Sequence, residues 1–133
     1  MSAHIIRLVA VVGAYLLAYY FAAIFGNIYS ILLPNVVNGS GFFFYSAFAE
    51  QWLAGLPLAA LFFIALAQSV LGPRYLWWWI GLASIPTMLF QLAIDPLHIY
   101  FPIILGLIAW GLGTMANKML QKFHPSFMAK FQG

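Results

Sequence analysis

The chain has no cysteine, only two acidic residues, and five lysines and arginines in 133 positions. The missing cysteine excludes disulfides, thiolate metal sites and thiol nucleophiles. The missing charge excludes a water-facing surface. A soluble domain carries about a quarter charged residues, whereas this chain carries 5% against 65% hydrophobic. A formal charge of +3 is too small and too scattered for nucleic-acid binding. What remains is an integral membrane protein of one domain.

A membrane helix needs roughly 20 mainly apolar residues. Four stretches meet that length: 8–33, 48–71, 76–93 and 99–120. The connections "PNVVNGSG", "GPR" and "DP" are short and rich in turn formers. The expected fold is all-α, with four transmembrane helices in a compact bundle over residues 1–120 and a basic-aromatic C-terminal tail over 121–133. The third span is the shortest and contains Pro86, so it is the one expected to kink or tilt.

Arg7 precedes the first span, Arg74 lies between the second and third, and Lys118, Lys122 and Lys130 lie at or after the end of the fourth. Basic residues favour the cytoplasmic side. Four alternating spans with both termini cytoplasmic put all five on that side, while three or five spans would split them. The expected location is a prokaryotic plasma (inner) membrane. A cleaved signal peptide is the competing reading of the N-terminus, but an apolar stretch of about 26 residues exceeds the 7–15 of a signal h-region.

Tryptophan and tyrosine favour the membrane interface, where one ring edge meets water and the rest meets lipid. Trp52, with the aromatic run 42–48, and the group Trp77, Trp78 and Trp79 are read as interface anchors. In the tail, Phe123, Phe127 and Phe131 recur every fourth residue between Lys122 and Lys130. A short helix starting near Pro125 would put the phenylalanines on one face, suited to lie in the headgroup layer. A frayed tail is the alternative.

Ionisable residues in or beside membrane spans are the first candidates for function. Glu50, Gln51, Gln91, Asp95 and His98 all fall on the outer side of the expected topology and form a candidate polar cluster there. One reading is a cation or proton site at an outer mouth. The competing reading is helix capping: Asp95 as N-cap with Pro96 at the first position of span four, and Glu50 favouring the dipole of span two. Asp95 and His98 supply at most two metal ligands. The histidines lie at or beyond the span edges, where they cannot hold haem at depth. No cofactor or metal is expected. No catalytic triad, phosphate loop or metal-protease motif is present in the sequence, so no enzymatic activity is expected. The Asn38-Gly39-Ser40 sequon would matter only in a eukaryotic secretory compartment.

The most regular feature is a ladder of small residues in span one: Ala10, Ala14, Ala18, Ala22, Gly26 and Ser30. Span four has a shorter version in Gly106, Ala109, Gly113 and Ala116. Lipid tails are as apolar as leucine, so membrane helices associate through close packing, which small-xxx-small spacing allows. These stripes predict a contact between spans one and four. Each step of four residues drifts about 40°, so the longer ladder wraps too far for one straight neighbour. Either its partner crosses at the right-handed angle typical of small-residue contacts, or two helices share the two ends, one of them open to another chain. The expected function is a small non-catalytic subunit that packs into a larger membrane complex, its partners being the bilayer and other membrane subunits or further copies of itself. The alternative is a small homo-oligomeric channel or transporter for a cation, proton or small solute.

Overall fold

The computed structural model describes residues 2–33 and 47–132. Pro34, the Asn38-Gly39-Ser40 sequon and the aromatic residues 42–45 lie outside the described residues, as does the side chain of Phe131. Among the described residues, five α-helices follow in order: α1 Ala3–Leu32, α2 Ala47–Val70, α3 Leu76–Ile94, α4 Tyr100–Phe123 and α5 Pro125–Gln132, with a 3₁₀ turn Pro96–His98 before α4. α1 to α4 are each long and apolar enough to cross a membrane, so the chain is an integral membrane protein.

Local chemistry sets the ends. Ser2 caps α1, its hydroxyl accepting from the Ile5 amide at 3.4 Å. α1 stops before Pro34, whose ring disfavours helical backbone in the preceding residue. α2 is closed off two residues after its end by Gly72, which takes φ 103° and donates its amide to the Ser69 carbonyl. Only glycine adopts that conformation without strain. Pro57 and Pro86 lie inside α2 and α3, and both helices continue through them. Pro102 sits in the first turn of α4, where its missing amide costs nothing.

The helices alternate in direction. Arg7 of α1 meets Gln68 and Gly72 at the end of α2, and Asn117 of α4 donates to the Val70 carbonyl. One end of the bundle therefore holds both termini and the α2–α3 turn. The other holds the start of α2 and the α3–α4 turn.

α2 is the central helix. Over half of its span is buried, against 22% for each of the other three. α1 packs along one side of it and α4 along another, with α3 on a third. The expected contact between spans one and four is thus corrected. Both small stripes face the same helix, α2, which lies between them. A Cβ on Gly26 would overlap the Gln51 carbonyl, and one on Gly55 would overlap the Ala22 carbonyl. On the other side, a Cβ on Gly113 would meet Ser69 Cβ at 2.6 Å and the Leu66 carbonyl at 2.7 Å. α2 answers each stripe with small residues of its own: Gly55, Ala59 and Ala60 toward α1, Ala65 and Ser69 toward α4.

The drift of the ladder is corrected as well. The buried positions of α1 are Arg7, Ala14, Ala18, Ala22, Gly26 and Tyr29. Steps of four operate only from Ala14 to Gly26. At the ends the spacing becomes seven and three, which turns the stripe back by about 20° and 60°. Ala10 and Ser30 leave the line and are only half-buried. α2 follows the face from Arg7 to Gly26, and at its far end Tyr29 also meets Phe101 of α4. Tyr15 flanks the stripe and reaches α3, donating to the Ala83 carbonyl at 2.6 Å and pairing with Thr87 Oγ1 at 3.1 Å.

The short C-terminal helix forms, starting at Pro125 as the sequence predicts. It packs against α4 and α1 through Met128, which is buried, while Phe127 and Lys130 are exposed. Lys122 and Phe123 belong to the last turn of α4.

Candidate functional site

Three side chains converge at the α3–α4 turn. Tyr29 is 22 residues from Arg7 along α1, or about 33 Å, close to the thickness of the hydrocarbon core. Its ring is buried against Leu58 and Phe101. Its hydroxyl donates to Asp95 Oδ2 at 2.5 Å. His98, one 3₁₀ turn after Asp95, places Nδ1 2.7 Å from the same oxygen. Gln91, buried on the last turn of α3, donates to the Asp95 carbonyl at 3.2 Å. Asp95 therefore ties α1 to the turn between α3 and α4 by its side chain, and α3 to that turn by its backbone.

The capping reading of Asp95 holds in position only for the 3₁₀ turn and not for α4, and it leaves out the side-chain partners. Asp95 is the C-cap residue of α3, its amide bonded to the Gln91 carbonyl at 2.8 Å. It also stands at the N-cap of the 3₁₀ turn, with Pro96 at the first position, and the His98 backbone amide helps hold its carboxylate ionised. α4 begins after Ile99 without a side-chain cap. The added partners are the Tyr29 hydroxyl, brought in from α1, and the His98 ring.

Burial pushes the Asp95 carboxyl up, but the hydrogen bonds from Tyr29 and His98, together with the His98 charge, hold it below its ordinary value. An ionised carboxylate only accepts, so His98 Nδ1 is the donor of the pair. In the neutral ring, Nε2 then keeps its lone pair. A carboxylate-oriented imidazole of this kind can accept a proton or ligate a metal. Among the described residues, no group of three histidines, aspartates or glutamates comes together to hold a metal.

Of the five residues in the predicted cluster, Gln91, Asp95 and His98 assemble. Glu50 and Gln51 open α2 as expected, with Glu50 in its first turn, but among the described residues no hydrogen bond or ion pair joins them to the others. The Gln51 backbone instead lies against Gly26. Tyr29 completes the cluster and was not singled out by the sequence. Its signal was its position three residues past Gly26, at the end of the packing stripe.

A second polar group sits at the opposite end. Arg7, 2% exposed, donates from Nη1 to Gln68 Oε1 at 2.9 Å and to the Gln68 carbonyl at 3.3 Å, and from Nη2 to the Gly72 carbonyl at 2.9 Å. Gln68 Nε2 donates back to the Arg7 carbonyl at 3.1 Å. Arg7 is thus no flanking charge: it lies inside α1 and satisfies the last carbonyls of α2, where a cation also suits the helix dipole. Asn27, Gln68 and Gln91 do not line one path. Asn27 is exposed, and Gln68 and Gln91 lie in separate networks at opposite ends.

The anchors divide. Trp77 and Trp78 are exposed, with Trp77 against Trp110 at 5.7 Å between ring centres. Trp79 is half-buried near His4, and its indole nitrogen has no hydrogen-bond partner among the described residues. Trp52 donates to the Tyr19 carbonyl at 3.1 Å. Compared with protein-family models, with curated proteins and with solved structures, the chain matches none, so its function is read from its own side chains.

Proposed function

We propose that this protein is a small non-catalytic integral membrane subunit that packs into and stabilises a larger membrane complex. One observation carries the reading. The polar residues that the bundle buries are bonded inside it: Arg7 with Gln68, Thr87 with Tyr15, Asn117 with the Val70 carbonyl, Gln91 with Asp95, and Ser69 and Ser84 with carbonyls of their own helices. What the spans turn outward is mainly apolar, including Leu8, Leu16, Trp78, Leu89 and Ile108. Such faces suit lipid or another membrane helix, and close packing is the interaction they offer. The buried ladder builds this chain's own bundle, so the contact faces for other subunits are the outer sides of α1, α3 and α4. The basic residues at the end holding the termini favour the cytoplasmic side for that end, which supports a prokaryotic inner membrane as the location.

Gentle detergent extraction from the native source, followed by size analysis and mass spectrometry, tests the reading. Co-migration with other membrane proteins is the expected result, and recovery as a lone monomer would overturn it.

The Tyr29–Asp95–His98 group favours a second reading, a small homo-oligomeric channel or transporter for a cation, proton or small solute. Asp95→Asn should then abolish flux in proteoliposomes. Unchanged flux would remove this group from any pathway.

A further inference from the structure

Both acidic residues of the sequence, Glu50 and Asp95, lie at the end of the bundle with the α3–α4 turn. All five lysines and arginines belong to the other end. Arg74 is in the α2–α3 turn, its guanidinium 5.1 Å from the centre of the Tyr75 ring. Lys118 follows Asn117, which is bonded to the Val70 carbonyl. Lys122 is in the last turn of α4 and Lys130 is in α5. Arg74 and the three lysines are exposed. Arg7 is buried and bonded only to neutral acceptors, two carbonyls and an amide oxygen. Among the described residues, the fold therefore holds one buried cation with no internal counter-charge and places four more at the surface of the same end.

The apolar neighbours of these cations point to the partner. Met128 seats α5 against the bundle end, so Lys130 is held there and does not trail away. Phe123, Phe127, Trp77 and Trp78 are exposed on the same end. Aromatic side chains beside lysines and arginines match the boundary between acyl chains and headgroups. A soluble acidic partner would leave those rings in water. We infer that this end of the bundle is a docking surface for anionic phospholipid headgroups, whose phosphates supply the counter-charge that the fold lacks. The inference does not depend on whether the protein works within a complex.

The test uses the full chain in bilayer discs of phosphatidylcholine with a minority of phosphatidylglycerol, released into a mass spectrometer under native conditions. Co-released lipid should be enriched in phosphatidylglycerol over the disc composition. The triple variant Lys118→Gln, Lys122→Gln, Lys130→Gln should lose most of that enrichment, since each basic residue near an anionic surface contributes ~1 kcal/mol, or about fivefold in lipid preference. A wild-type lipid ratio equal to that of the disc, or an enrichment unchanged in the triple variant, would overturn the inference. Circular dichroism checks that the variant keeps its helices. Should it unfold, salt replaces it: wild-type enrichment must fall between about 0.1 M and 1 M salt, and salt-independent retention would sink the idea. Inorganic phosphate stabilising the detergent-solubilised protein as well as phosphatidylglycerol does would also overturn it, by reducing the surface to a general anion site.

Discussion

The carbonyl oxygen of Ala22 in α1 occupies the space that a Cβ on Gly55 of α2 would need. The two backbones touch there without side chains between them. That contact, with its counterpart of Gly26 against the Gln51 carbonyl, sets how closely α1 approaches the central helix.

Gly55→Leu should therefore destabilise the protein by about 3 kcal/mol or more, the upper range for overpacking, because the obstructing atoms are backbone and cannot rotate away. Gly13→Ala is the contrast, since nothing lies within 4 Å of the position its Cβ would take. It should be neutral or slightly stabilising, as alanine favours helix over glycine. Unfolding titrations in mixed micelles measure both. Equal tolerance of the two substitutions would contradict the close approach.

The absence of cysteine gives a clean background for cross-linking the helix order. Ala18 and Ala59 share one core cluster, so the pair Ala18→Cys, Ala59→Cys should form a disulfide on mild oxidation. The pair Ala18→Cys, Ala109→Cys should not, because each of these alanines lies on a stripe that faces α2 and α1 meets α4 at the Tyr29–Phe101 end. Gel mobility with and without reductant reads the result, and the reverse pattern would restore the contact predicted from sequence.

Arg7→Met should cost about 1–3 kcal/mol for each buried acceptor left without a donor, chiefly the Gln68 and Gly72 carbonyls. Arg7→Lys should recover only part of that loss, since one ammonium cannot reproduce the fork that reaches both residues. Thermal midpoints in detergent order the variants: wild type, then lysine, then methionine. A lysine variant as stable as wild type would show that charge alone matters.

The Asp95 cluster predicts a pH dependence with a defined sign. The folded-state value lies below the ordinary 3.8, so ionised Asp95 contributes stability that is fully present above about pH 4 and is lost as the pH falls through the lowered value. Asp95→Asn should flatten that part of the stability profile. Tyr29→Phe should destabilise by about 1.5–3 kcal/mol at neutral pH, the range for a hydrogen bond to a charged group, and should weaken the acid sensitivity. Melting curves between pH 3 and 7 decide; a profile that Asp95→Asn leaves unchanged would remove the carboxylate from the latch.

The membrane class, the four spans and the short helix at Pro125 were legible in the sequence because each rests on a one-dimensional property: apolar length, turn residues, or a proline at a helix start. The small stripe was legible as a packing face, yet its partner was not. Span four offered a matching stripe, but α2 carries small residues on two sides and satisfies both. Asp95 followed by proline has the form of a helix cap, and nothing local shows that a tyrosine 66 residues earlier takes its carboxylate. Arg7 read as a flanking charge because an arginine beside an apolar run commonly sits in the interface. Its burial depends on carbonyls at the end of a different helix.

The amino-acid sequence by itself determined that the chain enters a membrane, how many times it can cross, and that all its lysines and arginines gather at one end, because hydrophobic length and charge placement act through solvent and lipid and need no neighbouring helix. Only the tertiary structure decided which helix is central, which small residues meet backbone to backbone, and which polar groups pair. Those outcomes depend on the fit between surfaces far apart in the chain, and α2 prevails because it alone presents a narrow face on both sides.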